Sequence, residues 1–157
     1  MYSNEILNKA VMELKCEGKS TPELDAKILL AHAIGRDKKI FFHEKLNLDK
    51  KQMKYFLDLI KSRIRGKPVS RIVGKRNFWN DDFFINEFTL DPRPESEILI
   101  EASLSYFNNK LSKLQILDLG SGSGCIGLSI VKEFPNSILV NVDTCKHAIL
   151  QANFNAK

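Results

Sequence analysis

Ile116-Leu117-Asp118-Leu119-Gly120-Ser121-Gly122-Ser123-Gly124 decides the fold of this chain. An apolar run carrying one carboxylate passes directly into glycines at every second position. The pattern predicts a buried β-strand that stops, followed by a loop whose backbone comes very close to another group. Glycine permits that approach because it lacks a Cβ and tolerates positive φ. Ile126, Leu128, Ile130 and Val131 then recur at helical spacing, with Gly127 small enough for close packing. Strand, glycine loop and helix in that order form the nucleotide-cofactor corner of an α/β sheet.

Two cofactors compete for the corner. Gly122-Ser123-Gly124-Cys125-Ile126-Gly127 fits the dinucleotide pattern G-x-G-x-x-G, but its register is late. The apolar strand ends at Leu119, so the turn begins at Gly120, two residues before that pattern starts. Asp118 also stands where a dinucleotide fold carries an apolar residue, and a carboxylate there suits a ligand with an ammonium group. The D-L-G-x-G-x-G form resembles the first motif of S-adenosylmethionine-dependent methyltransferases. That reading is preferred to NAD or FAD, and a purely structural glycine turn ranks below both.

Ser137-Ile138-Leu139-Val140-Asn141-Val142-Asp143 predicts the next strand, ending in a carboxylate about 20 residues beyond the glycines, as ribose recognition requires. Asp143 has a second reading as the N-cap of a helix over residues 145–156, a role Thr144 also fits.

With 157 residues, 43% of them hydrophobic, the chain can bury a core in one domain or two small ones. No apolar run is long enough to span a bilayer and the N-terminus has no secretory pattern, so a cytoplasmic protein is expected. Cys16, Cys125 and Cys145 are odd in number and form no C-x-x-C pair, which favours reduced thiols. His32, His43 and His147 are scattered, and no metal site is expected. The net charge of +5 hides an asymmetry: residues 36–76 hold 14 of the 24 basic and 4 of the 19 acidic residues, a local balance of +10 against −5 elsewhere. Such a stretch reads either as solvated helix faces or as a surface that meets an acidic partner.

Residues 1–66 are expected to form a small helical domain. Ile6, Leu7, Ala10, Val11 and Leu14 recur at helical spacing up to Gly18. Thr21-Pro22-Glu23 starts a second helix, with Thr21 as N-cap and Leu24, Ile28, Leu29 and Ala31 along one side up to Gly35. Ile40-Phe41-Phe42 fills a corner, and Asp49 caps a third helix with a stripe of Met53, Phe56, Leu57, Ile60 and Ile64, closed by Gly66. Residues 67–90 read as a linker. Arg71-Ile72-Val73 looks like a strand, and Asn77-Phe78-Trp79 and Phe83-Phe84-Ile85 flank a polar turn at Asn80-Asp81-Asp82, with the aromatics on one face of a hairpin. Residues 91–157 form the cofactor domain, in which Pro94 opens a helix.

Several of these pieces match one family in order and spacing. Thr21-Pro22-Glu23-Leu24-Asp25-Ala26-Lys27, Pro68-Val69-Ser70-Arg71-Ile72-Val73-Gly74 and Phe78-Trp79 fit it, and Leu90-Asp91-Pro92-Arg93-Pro94-Glu95-Ser96-Glu97 is close to its L-I-P-R-P-E-T-E, with Asp91 replacing an apolar residue. Ala148, Ala152 and Asn155-Ala156 complete the set. The chain resembles the protein-(glutamine-N5) methyltransferases of the HemK/PrmC type, which modify peptide chain release factors. The resemblance implies an α/β fold: a helical substrate-docking domain, a hairpin linker, and the first part of a Rossmann-like methyltransferase domain with an incomplete sheet. It implies S-adenosyl-L-methionine as cofactor, with Gly120, Ser121, Gly122, Ser123 and Gly124 around its methionine end, Asp143 on the ribose and Asp118 near the ammonium group. A release factor is the implied protein substrate, with no membrane and no direct nucleic-acid binding.

The family's transfer step uses an N-P-P-Y loop, whose asparagine and a proline carbonyl accept hydrogen bonds from the glutamine amide and aim its nitrogen at the methyl group. None of the five prolines, Pro22, Pro68, Pro92, Pro94 and Pro135, is adjacent to another. The chain is therefore expected to be the front part of such an enzyme, inactive alone and binding cofactor weakly if at all. A glutamine methyltransferase acting on a ribosomal protein, or a non-catalytic release-factor-binding fragment, are the alternatives.

Overall fold

The computed structural model describes residues 3–36 and 47–157. The chain divides into two compact units, Met1–Val73 and Gly74–Lys157. The Ile40-Phe41-Phe42 expectation lies outside the described residues.

The first unit is helical. Helices α1 (Ser3–Cys16), α2 (Pro22–Ala33) and α3 (Lys50–Ile64) pack on one another, joined by a short α4 (Val69–Val73). Every residue of the predicted α1 stripe is buried, as are Phe56 and Ile60 of α3. Helix α1 closes as its pattern predicts: the Lys19 amide donates to the Leu14 carbonyl and that of Gly18 to Lys15, both at 3.0 Å. Asp49 caps α3 in a reciprocal pair with Gln52, its side chain accepting from the Gln52 amide at 2.7 Å while the Gln52 side chain accepts from Asp49.

Helix α2 departs from its expected face. Asp25 is buried and Leu24 is exposed. The cause is an ion pair inside the unit: Arg63 Nε of α3 donates to Asp25 Oδ2 at 2.7 Å, and Thr21 Oγ1 donates to Asp25 Oδ1 at 2.8 Å. Thr21 therefore makes no side-chain cap to the helix backbone. Arg63, counted in the basic middle, is turned inward and neutralised there.

Residues 71–73 are helical, correcting the strand expected at Arg71-Ile72-Val73. The Ile72 amide donates to the Pro68 carbonyl at 3.0 Å, and Val69, Ile72 and Val73 pack on the helical core. Packing onto α2 and α3 outweighs the β-propensity of these branched residues.

The second unit begins with an antiparallel hairpin, β1 (Lys75–Phe78) and β2 (Asp81–Phe84), paired from Lys75↔Phe84 to Phe78↔Asp81. Its turn is Trp79-Asn80, shorter than predicted, and Asp81 and Asp82 belong to β2. Trp79 stands at φ +56°, uncommon for a bulky residue. Two carboxylates hold it: its amide donates to Glu97 Oε1 at 2.8 Å and its indole Nε1 to Glu133 Oε1 at 2.9 Å. Phe78 and Phe83 are buried and meet edge to face, whereas Phe84 lies on the other face against Phe154.

A 3₁₀ turn over Pro94–Glu97, where Pro94 was expected to open a helix, leads into α5 (Ile98–Tyr106). Then β3 (Gln115–Leu119), α6 (Cys125–Glu133), β4 (Ile138–Val142) and α7 (Lys146–Asn155) follow. Strands β3 and β4 are parallel, from Gln115↔Ile138 to Leu119↔Val142, with α6 as the crossover between them. The α6 side of this small sheet is covered. On the opposite side Leu117, Leu119, Ile138, Val140 and Val142 are between 43% and 70% exposed.

Candidate methyl-donor site

The site is built where β3 and β4 end side by side. Because the strands are in register, Leu119 lies against Val142, and the chain must turn immediately after both. The amides of Gly120 and Ser121 both donate to the Val142 carbonyl, at 2.7 and 3.0 Å. The strand thus stops at Leu119 and the turn starts at Gly120, the register that disfavours the dinucleotide pattern. Gly120, Gly122 and Gly124 have φ of +73°, +56° and +78°, the region that side-chain-bearing residues avoid.

The glycines differ in what surrounds them. A Cβ on Gly124 would lie 3.0 Å from Leu128 and 3.1 Å from Ala152, so that glycine is packed against α6 and α7. A Cβ on Gly120 or Gly122 would meet nothing within 4 Å among the described residues. The loop is closed on its inner side and open where Gly120 and Gly122 face outward. Gly127 is a packing glycine as expected: a Cβ there would sit 2.8 Å from Leu139 and 2.9 Å from Asp118 Oδ2.

Asp143 reaches back into this loop. Its Oδ2 accepts the Gly122 amide at 2.9 Å and its Oδ1 the Cys145 amide at 2.8 Å. These bonds, that from Cys145 first, hold its carboxyl below the usual carboxylate range. Neither Asp143 nor Thr144 is the N-cap of α7. Cys145 occupies that position, and Asp143 braces the turn two residues upstream. Each carboxylate oxygen keeps a further lone pair for an outside donor. Asp118 points to the covered side of β3, where Oδ2 accepts the Gly127 amide at 3.1 Å, close to the positive end of α6.

The structure therefore brings the glycine loop, Asp118 and Asp143 together at one corner. Ser121 has a buried hydroxyl without a hydrogen-bond partner among the described residues and sits directly between the two open glycines, while the buried Ser123 hydroxyl lies against the Cys125 thiol. An orphaned hydroxyl beside an open backbone cradle fits a polar ligand seated on the loop. Burial pushes the Cys125 thiol up, so it is a packing group and not a thiolate. Two contributions were not foreseen. The Val142 carbonyl leaves no trace in sequence because it is backbone, and the bond from Asn155 Nδ2 to the Ser123 carbonyl, at 2.9 Å, depends on tertiary contacts.

A helical unit ahead of a β-α-β corner with this loop defines a methyltransferase-type architecture. Two family models match the chain, the PrmC N-terminal domain over residues 5–74 and the methyltransferase small domain over residues 95–157. A release factor glutamine methyltransferase of Aliivibrio fischeri is 34% identical across 97% of this chain and 53% of its own length. Proteins of the same name from Rhodospirillum rubrum and from Buchnera aphidicola of Schizaphis graminum are 33% and 34% identical, over 97% and 99% of this chain and 46% and 55% of theirs. Over nearly its whole length the chain is similar to release factor glutamine methyltransferases, with a PrmC N-terminal domain followed by a methyltransferase small domain. It spans about half the length of the curated relatives it matches. Among the described residues no helix is long and apolar enough to cross a membrane.

Proposed function

We propose that these 157 residues are the partner-docking and cofactor-binding portion of an S-adenosylmethionine-dependent protein-glutamine N5-methyltransferase that acts on peptide chain release factors. The observation that supports this most is the glycine loop, braced from within by Val142 and Asp143 and open at Gly120 and Gly122. When bound, the cofactor supplies an electrophilic methyl group on a sulfonium centre. Gly120, Ser121, Gly122, Ser123 and Gly124 hold its methionine end, which approaches the backbone left uncovered at Gly120 and Gly122. Asp143 accepts the ribose hydroxyls through its remaining lone pairs and stays ionised because its carboxyl is held low. Asp118 contributes negative charge on the ammonium side.

A glutamine amide nitrogen is a weak nucleophile, its lone pair delocalised into the carbonyl. Transfer needs acceptors that bind the NH₂ and hold the nitrogen in line with the methyl group. No N-P-P-Y occurs in this sequence, so the transfer step is assigned to residues beyond these. The helical unit, which has its own closed core, is the docking part. That closed core also favours a second reading, a release-factor-binding fragment without catalysis.

Calorimetry with S-adenosylhomocysteine tests the cofactor half. Weak binding that disappears in Gly122→Ala is expected, and absence of any heat with the wild-type chain overturns it. Methylation of a purified release factor by residues 1–157 overturns the assignment of the transfer step. Retention of release factor by a chain that binds no cofactor selects the fragment reading.

A further inference from the structure

The glycine loop has a second brace. Asn155 is the last residue of α7, and its carboxamide joins three segments of the second unit. Oδ1 accepts the Phe84 amide at 3.0 Å, while Nδ2 donates to the Phe84 carbonyl at 2.9 Å and to the Ser123 carbonyl at 2.9 Å. Phe84 is the terminal residue of β2, and both of its backbone groups face the edge away from β1. The carboxamide pairs with that edge as a neighbouring strand does. Its orientation follows from the partners, since an N–H needs the oxygen and two carbonyls need the NH₂.

The Ser123 carbonyl belongs to the same planar peptide as the Gly124 N–H, so fixing one fixes the other. That N–H donates to the Ser121 carbonyl at 2.7 Å. The loop thus has two peptide planes pinned from different elements. Asp143, at the end of β4, holds the Gly122 amide, and Asn155, at the end of α7, holds the Ser123 carbonyl.

We propose that Asn155 is a positioning residue for the cofactor: it sets the conformation of the glycine loop and couples that loop to the hairpin edge at Phe84. The cofactor part rests on the function proposed above, whereas the clamp on the loop does not. Only a carboxamide of this length meets all three partners. Aspartate keeps the acceptor and the volume but turns an oxygen, in place of the NH₂, toward two carbonyls.

The test compares Asn155→Ala and Asn155→Asp in the full chain, by amide hydrogen exchange at Gly122 and Gly124 and by S-adenosylhomocysteine affinity. Both variants are expected to raise exchange at these glycines on the order of ten-fold, the effect of losing one or two hydrogen bonds, while Ile116 and Leu139 keep wild-type exchange. Both are expected to lose affinity by a similar factor. A space-filling role predicts instead that the isosteric aspartate behaves as wild type, which overturns the proposal. Unchanged exchange at Gly122 and Gly124, or a uniform rise across the second unit in Asn155→Asp, also overturns it. If the wild-type chain binds no S-adenosylhomocysteine, the function proposal fails and exchange at Gly122 and Gly124 still decides whether the clamp exists.

Discussion

The two units solve opposite problems. The helical unit turns its apolar stripes inward and even takes an ion pair, Asp25–Arg63, into its interior. The α/β unit covers one side of β3 and β4 and leaves five branched or long apolar side chains exposed on the other. Its glycine loop is nevertheless fully specified, with backbone, carboxylate and carboxamide bonds at every turn. Loop geometry is therefore fixed by the ends of two strands and two helices, and does not wait for the sheet to be sealed on both faces. Sealing governs stability, and the strand ends govern the site.

The largest effect that divides the units is expected from Arg63→Ala. It leaves Asp25 buried without its partner, and should cost the helical unit about 3 kcal/mol, as for other broken interior pairs. Urea denaturation followed by circular dichroism measures it, and the melting of the α/β unit should not move. The double variant Asp25→Leu/Arg63→Met should recover most of the loss. Gly127→Leu is the counterpart in the other unit. The added side chain collides with Leu139, Asp118 and Asn141, and overpacking of this kind costs about 2 kcal/mol. If it lowers both units equally, the separation of the two cores is wrong.

Gly122→Ala separates site from stability. It meets no neighbour, so its only penalty is the positive φ, about 1 kcal/mol for a non-glycine residue. The fold should survive and S-adenosylhomocysteine binding should not, as calorimetry on the same sample checks. On the helical unit, Lys50, Lys54 and Lys61 surround Met53 and Leu57 in a shallow depression of about 290 Å³, with one carboxylate, Asp58, 3.6 Å from Lys61. Changing all three to Glu should slow association with an acidic release factor several-fold at low salt, and the difference should vanish at high salt in stopped-flow measurements. Equal rates at both salts remove the steering idea.

The smallest effect concerns pH. The Asp143 carboxyl lies below its usual range in the folded chain. Its stabilising contribution is thus complete above the unfolded value, about 3.9, and is lost as pH falls through the lower folded value. Wild type should lose stability relative to Asp143→Asn only in that acidic window, by denaturation at graded pH. A difference arising near neutrality would assign the effect to another group.

Much of this was legible in the residues. Asp118, the alternating glycines and Asp143 announced the corner because strand ends and close backbone approach demand those side chains locally. The α1 stripe and the Asp49 cap were legible for the same reason. The conflicts arise where distant groups meet. Thr21 holds the expected N-cap position, but its hydroxyl turns to Asp25, which Arg63 draws inward, and Arg71-Ile72-Val73 looked like a strand until α2 and α3 offered a surface to pack against. Trp79 entered the hairpin turn because Glu97 and Glu133 reach it from elsewhere in the chain.

The sequence by itself determined most of the order of elements, the loop and the resemblance to a family, since these rest on spacing within a few residues. Only the tertiary structure decided which polar groups hold the loop. Asn155 enters the sequence only as part of the family match, and it lies 32 positions from Ser123 and 71 from Phe84, so no local pattern says what it bonds. Hydrogen bonds between such distant groups exist only after helices and strands have packed, because packing alone brings their donors and acceptors within 3 Å.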